Sequence, residues 1–557
     1  MHRSLTATLV ALGVLLVWVY ALGVRLPYMD QIPVFDADVT TAAAHMWARI
    51  WSDEGPLKIW FSTPRSPRSI EAPTLAMRTL YESWPPGAFV PIYVVAKFLG
   101  VEPTVPLVNW INTITHGLIA LATAFAVFNL ALFNRLESVS SAVLAVGVAF
   151  PLLLSRGLIY VFSQVYDVVT AVLVYTAIFI LLEVLYYAAR TANEQRIISA
   201  IQLVTIFLAF FVDWLAYNLF AFWIISRAVA GYLGIEKRLS FRRLIRLALL
   251  PISAFSIYMI WRIFAPGSLA STEGLASSMR LLGIKILQRM NLTDKSPVSG
   301  FSDVFFGQMH DDYYTEHAFM VTALSASATL LLTAIAFYRS RDAWERRSIF
   351  ATGSVLVLIT IPFYLHMLIL YEHTYIHRWA ITKAMFTYSL TPFALLPISI
   401  FTLARQLVGQ PSTQREGRGL TIIALFLALS GVYYAVGVVQ YKSPNLFGRV
   451  DRATYLMWDD IRRNTRYQDV VVSPVLEANP ISVQVGVSYK LVHHADSFSD
   501  VDKLVENVCG NFNVVLALPN GANLGAFVSR EPSEVIDTGR VRLLRFSTYQ
   551  GRTAGCS

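Results

Sequence analysis

Apolar stretches of roughly 16 to 27 residues recur along the chain between polar loops, close to the ~20 residues a helix needs to cross a hydrocarbon core. They predict about eleven spans: Leu5–Val24, Pro106–Leu132, Val139–Leu154, Val168–Ala189, Ile197–Val212, Leu215–Leu233, Leu247–Phe264, Ala318–Tyr338, Ile349–Leu370, Ala384–Leu403 and Leu420–Gln440. A further apolar stretch, Pro86–Gly100, follows Pro85 and is shorter. It predicts a helix lying at the membrane interface.

Composition agrees. The chain is 55% hydrophobic and 15% charged, with a mean hydropathy of +0.53. A soluble protein of this length could not cover so much apolar surface, so the predicted class is a polytopic α-helical membrane protein. The first stretch lacks a small-residue cleavage site and reads as a retained span. The net charge of +9 fits basic cytoplasmic loops better than nucleic-acid binding, since no Lys/Arg run is interleaved with aromatics.

The loops give an orientation. EKRLSFRRLIR (Glu236–Arg246), YRSRDAWERR (Tyr338–Arg347) and RQLVGQPSTQREGR (Arg405–Arg418) fall in one alternate set. The short loops of the other set hold almost no Lys or Arg beyond Arg156 and Arg378. The positive-inside rule places the N-terminus in the cytoplasm and the C-terminus outside, in a cell (inner or plasma) membrane. Residues 1–440 then form the membrane core. Two long external segments interrupt it, Arg25–Val105 and Ala265–His317.

Residues 441–557 read as a small extracytoplasmic α/β domain. DRATYLMWDDIRR and DVDKLVENV are helix-like, and DVVVSPV, NVVLAL and VRLLRFS are strand-like. No phosphate-binding glycine loop or nucleophile elbow occurs in it, which suits an accessory lobe. Cys509 and Cys556 are the chain's two cysteines. Both fall in this tail, where an external compartment permits a disulfide.

Candidate chemistry gathers on the outer face. FDADVTTAAAHMW (Phe35–Trp47) follows the first span. Asp38 precedes a helix-like run and is placed to cap it. Asp36, two residues earlier, is not needed for that role. Trp84 stands in YESWPPG, Asp167 at the mouth of the fourth span, and Asp213 at the end of the fifth. YEHTYIHRWAITK (Tyr371–Lys383) adds Glu372, His373, His377, Arg378 and Lys383. Asn109, Asn112, Thr113 and His116 share one face of the second span. They can bond neighbouring helices or wall a headgroup cavity.

Over roughly residues 1–405 this layout resembles the GT-C glycosyltransferases, in particular the protein O-mannosyltransferase and lipid A aminoarabinose transferase branch. The family's first loop carries Asp-Glu before a helix; here Asp36-Ala37-Asp38 stands in its place. Trp84-Pro85-Pro86 resembles its His- or Tyr-Pro-Pro element, and His377-Arg378-Trp379 its Arg-Tyr element, with Trp for Tyr. Asp167 resembles the acid of its second external loop. The resemblance implies a sugar donor carried on a polyprenyl phosphate and an external glycan, lipid or protein acceptor. A carboxylate takes the acceptor's proton. Cations hold the departing phosphate, a task suited to the planar Arg fork. Asp36 is assigned as base, with Asp38 and Asp167 as the other catalytic candidates. Arg378 is assigned to the phosphate, with Lys383 as helper. His377, Asn109, His116, Trp84 and Asp213 are the remaining substrate contacts. No cofactor is required by this chemistry.

Three other readings stay open. A metal could sit on His373 and His377, spaced i, i+4, with His310, Asp311 and Asp312, although no HExxH supports it. A lipid-diphosphate polymerase or ligase would use Arg280, Lys285 and Arg289 of the second long external segment. A lipid-linked-sugar flippase would carry deep charges and repeated halves, and apart from Glu183 deep charges are scarce. The orientation has a direct check. A reporter fused after Gln440 is expected to be active only outside, and one within Glu236–Arg246 only inside. The reverse pattern would move the acids to the cytoplasm and end the enzymatic reading.

Overall fold

The computed structural model describes residues 2–29, 37–64, 80–81, 84–265, 267–290, 292, 313–314, 317–408, 452–466, 469–473, 491–494, 513–520 and 531–547. Most of these are helical. In chain order the helices are α1 His2–Met29, α2 Ala37–Glu54, α3 Val90–Leu99, α4 Val105–Phe133, α5 Ser138–Leu154, α6 Arg156–Gln164, α7 Val168–Ala188, α8 Ala192–Ala209 and α9 Leu215–Tyr232. There follow α10 Phe241–Phe264, α11 Leu269–Glu273, α12 Leu275–Arg289, α13 Ala318–Arg339, α14 Ala343–Ile369 and α15 Tyr371–Ile376. A 3-10 segment, Arg378–Ala384, leads into α16 Met385–Leu390, a π-helical turn Thr391–Leu395 and α17 Leu396–Val408. The tail contributes α18, Arg452–Asn464.

Among the described residues, 7 helices are long and apolar enough to cross a membrane, or 8 if α5 and α6, bent by 66° at their junction, form one span. The protein is a multi-pass membrane protein. The expected number near eleven is not reached, for two reasons. The stretches Ile197–Val212 and Leu215–Leu233 do coincide with α8 and α9, but these helices carry Asn193, Glu194, Gln195 and Arg196, or Asn218, Ser226 and Arg227. Their hydropathy falls short of a span. The stretch Leu420–Gln440 lies outside the described residues. The short helix expected at Pro86–Gly100 is present as a 3-10 turn, Pro86–Ala88, and α3. It ends at Gly100, whose φ of 67° is left-handed and costs glycine no Cβ clash.

The chain divides into two compact units, Met1–Leu26 with Ile111–Met259 and Met279–Ser443, and Pro27–Trp110 with Ile260–Ser278 and Pro444–Ser557. In the first unit α7, α8, α9, α10 and α14 bury a core that includes Phe179, Phe210, Phe220, Trp223 and Leu358. Within it sits a fully buried carboxylate, Glu183. Its Oε2 accepts from Arg227 Nη2 at 2.6 Å, Gln202 Nε2 at 2.9 Å and Trp223 Nε1 at 3.0 Å, and its Oε1 from Ser354 Oγ at 3.1 Å. One side chain thus ties α7 to α8, α9 and α14. The Arg227 guanidinium lies 3.5 Å from the Tyr186 ring centroid, so its flat face is covered as its edge is paired.

In the second unit the amphipathic α2 buries Trp47 and Trp51, whose indoles donate to Pro64 O at 2.8 Å and Ser62 O at 2.7 Å. Trp47 also meets Phe89 edge-on at 4.5 Å. The helix starts at Ala37, so Asp38 lies in its first turn and not before it. Asp36 lies outside the described residues.

The tail carries strands β1 Val470–Ser473, β2 Leu491–His494, β3 Asn513–Pro519, β4 Glu534–Asp537 and β5 Val541–Ser547. They form one sheet in the order β2-β1-β3-β5-β4. The first three are parallel, and β5 runs antiparallel to β3 and β4. Buried Val470–Val472 and Val514–Leu518 give the unbroken apolar runs expected of strands covered on both faces. The stretch DVDKLVENV, with Cys509 and Cys556, lies outside the described residues.

Glu183→Ala would leave Arg227 with Glu236 as its one carboxylate partner among the described residues and take the acceptor from Gln202, Trp223 and Ser354. We expect a loss of about 3–5 kcal/mol, read as a lower unfolding temperature in nanodiscs. Glu183→Leu with Arg227→Leu should recover much of it, and a neutral single variant would show that the network does not hold the helices.

Candidate functional site

The 3-10 segment Arg378–Ala384 concentrates the predicted site residues of the first unit. Seven residues of 3-10 geometry are unusual, because such helices rarely exceed three or four. This stretch is held from outside. The Trp379 indole donates to Asp167 Oδ2 at 3.1 Å. The Lys383 ammonium donates to Asp213 Oδ1 at 2.9 Å, Asp213 Oδ2 at 2.8 Å and His366 Nε2 at 2.7 Å. Tyr314 Oη donates to Ile381 O at 3.0 Å. Residues Trp379 to Ala384 are all buried, whereas Arg378, the first of the segment, is exposed. Arg378 makes no ion pair with any described residue.

Both carboxylates are themselves fixed by helix starts. Asp167 is the N-cap of α7, with its side chain accepting from Val168 N at 2.6 Å in a capping box completed by Thr170. Burial raises its pKa above the usual carboxylate range, while the Trp379 indole, the Val168 N–H and the Lys383 charge oppose the rise. Asp213 Oδ1 also accepts from Leu215 N at 2.7 Å, at the start of α9. The three ammonium protons of Lys383 meet three acceptors, which leaves it no N–H for a phosphate. The expected helper role is not tested by these contacts. Lys383 also lies inside the apolar run Arg378–Leu407 and not in a loop before it. Asp213, expected to contact substrate, is bonded here to Lys383 and to Leu215 N.

The polar face of α4 serves helix contacts. Asn109 Nδ2 donates to Met29 O at 3.0 Å, and Asn112 Nδ2 to Val161 O and Val165 O at 2.8 and 2.9 Å. His116 Nδ1 is 2.7 Å from Arg25 Nη2, and its ring stacks on Phe162 at 3.9 Å. All four side chains are buried. Of the two readings of this face, the described contacts of Asn109 and His116 are with other helices. Trp84 is buried in the second unit. The first-loop acids Asp36 and Asp38 offer no described side chain.

The His373 and His377 rings are 4.5 Å apart, and His377 lies 4.8 Å from Trp379. Burial, then the neighbouring His377 and Arg289 charges, hold the His373 pKa well below its usual value. Among the described residues no three His, Cys, Asp or Glu side chains gather to hold a metal. His310, Asp311 and Asp312 lie outside the described residues. Sequence reasoning missed His366. A lone histidine in the apolar run of α14 was the available signal. A small cavity of about 30 Å³ is lined by Pro151, Ser155, Tyr314, Val321, Ser389 and Phe393 among others.

No protein-family model and no curated protein matches the sequence. The apo oligosaccharyltransferase of Archaeoglobus fulgidus matches in structure with a TM-score of 0.51, over 90% of this chain and 69% of that one, at 11% identity. The fold is the GT-C fold. A second structure from that organism, of AglB with an inhibitory peptide and a dolichol-phosphate, aligns over 90% of this chain and 69% of that one at a TM-score of 0.49 and 13% identity. ArnT from Cupriavidus metallidurans aligns over 98% of each chain at 10% identity and a TM-score of 0.41. Both scores are too low to carry an argument, and at such identities the GT-C likeness speaks for the fold alone.

Asp167→Asn keeps an N-cap and an acceptor for Trp379, so the melting temperature should barely move. Asp167→Ala should cost roughly 1–2 kcal/mol from the cap alone. A large loss for the Asn variant would mean that the charge, and not the cap, holds α7.

Proposed function

We propose that the protein is a membrane glycosyltransferase. It moves a sugar from a polyprenyl-phosphate donor to an extracytoplasmic glycan, lipid or protein by one inverting displacement. The observation that carries this reading is Arg378. Its guanidinium is exposed and, among the described residues, unpaired, on a segment otherwise buried and pinned, within a GT-C fold. A planar cation held in this way suits two oxygens of a lipid-linked phosphate.

In the proposed reaction the acceptor hydroxyl attacks the anomeric carbon. Its proton passes to a first-loop carboxylate, Asp36, with Asp38 the alternative base. The bond from the anomeric carbon to the phosphate oxygen breaks, and the lipid phosphate leaves toward Arg378. Asp167, already accepting from Val168 N, Thr170 N and the Trp379 indole, is third in line as base. The tail, with its five-stranded sheet, is assigned an accessory role outside the membrane.

Asp36→Asn should lower single-turnover transfer by ~10²–10⁴-fold and leave donor affinity unchanged. Asp38→Asn should be mild, since a first-turn carboxylate contributes only ~0.3–1 kcal/mol to its helix. Arg378→Ala should weaken donor affinity and turnover together. Full activity in all three folded variants would remove the reading. A dead Asp38→Asn beside an active Asp36→Asn would exchange the two acids.

A further inference from the structure

The seven residues from Arg378 to Ala384 are fastened at three places, and each fastening comes from a different helix or turn. Asp167 at the start of α7 holds Trp379, Asp213 before α9 holds Lys383, and Tyr314, just before α13, holds the Ile381 carbonyl. His366 of α14 closes the set on Lys383. With three residues per turn, Trp379 and Lys383 point from two different faces of the segment. A tether on each of two faces stops it from rolling, and a tether on its backbone stops it from sliding. Nothing described pairs with Arg378, so what the segment sets is the place and direction from which its side chain starts.

Burying an ammonium and a carboxylate together gives little net stability, because both lose their hydration. Well-packed apolar residues would serve packing as well. What the ionic pair adds is a directional tether with one acceptor for each proton of Lys383. We propose that Lys383, Asp213 and His366 are positioning residues that hold the backbone carrying Arg378 in place, so that its guanidinium reaches the donor phosphate from one fixed origin. The proposal rests on the reading of Arg378 given above. The three residues touch neither donor nor acceptor. Their effect on binding passes through Arg378.

The test is a double-mutant cycle on the full chain in nanodiscs, with a sugar-free polyprenyl phosphate as the probe. Lys383→Met should weaken binding of the probe about 10–100-fold, the scale of a misplacement near 1 Å. In the Arg378→Ala background the same substitution should change affinity by less than about threefold. Hydrogen exchange of residues 379–384 should speed up in Lys383→Met and stay unchanged in the Glu183 network. If Lys383→Met does not fold, Lys383→Met with Asp213→Asn, which removes both charges, takes its place in the cycle. Equal losses in the two backgrounds would show a structural role independent of Arg378 and overturn the proposal. Unchanged exchange in 379–384 would overturn it as well. If the wild-type protein binds the probe but transfers no polyprenyl-phosphate sugar, glycosyl transfer falls, and the cycle still judges the positioning. A wild-type protein that does not bind the probe overturns both.

Discussion

The ammonium of Lys383 has three N–H groups and, buried, no water to receive them. Each must therefore meet an acceptor on the protein, and the two Asp213 oxygens and His366 Nε2 supply the three. Removing any one leaves a charged donor unsatisfied, which costs far more than a neutral hydrogen bond is worth. This requirement fixes the loop before α9 against α14 and against the segment that presents Arg378. An apolar contact could slide by an ångström without much change in energy, and this one cannot.

Helix α7 shows the same logic at both of its ends. Asp167 caps its first turn and reaches Trp379, and Glu183, fully buried near its other end, gathers α8, α9 and α14. Between these two carboxylates the helix is apolar and packs without direction. Crossing angle and depth in an apolar bundle are weakly specified by shape alone. Two polar anchors on one helix give it an address along its axis as well as around it.

Much of this was legible in the sequence, and the part that was not has a physical cause. The apolar runs that became α1, α4, α7, α10, α13 and α14 were plain, because a span needs length and hydropathy and little else. The strands of the tail were legible from VVV and VVLAL, while their parallel order was not, since pairing between distant strands leaves no local period. Asp167 with Thr170 three residues on was a readable capping signal that the functional reading overshadowed. The Asp213–Lys383 pair joins residues 170 positions apart, and no spacing rule links them. Each looked like a free charge at a membrane boundary, and only the fold shows that they neutralise each other. Asn109 and His116 were recognised as one helix face, but a face does not say whether its partner is a ligand or another helix.

The run Arg378–Leu407 is 30 residues long. Its portion from Met385 onward rises about 1.5 Å per residue where it is α-helical, roughly 35 Å in all, which already exceeds a ~30 Å hydrocarbon core. The 3-10 portion adds about 14 Å at its steeper rise of ~2 Å per residue. The excess is met by tilt or by an end that stands beyond the acyl chains. Arg378 is the first residue of the run and is exposed, so its charge needs no partner inside the run, whereas that of Lys383, five residues on and buried, does.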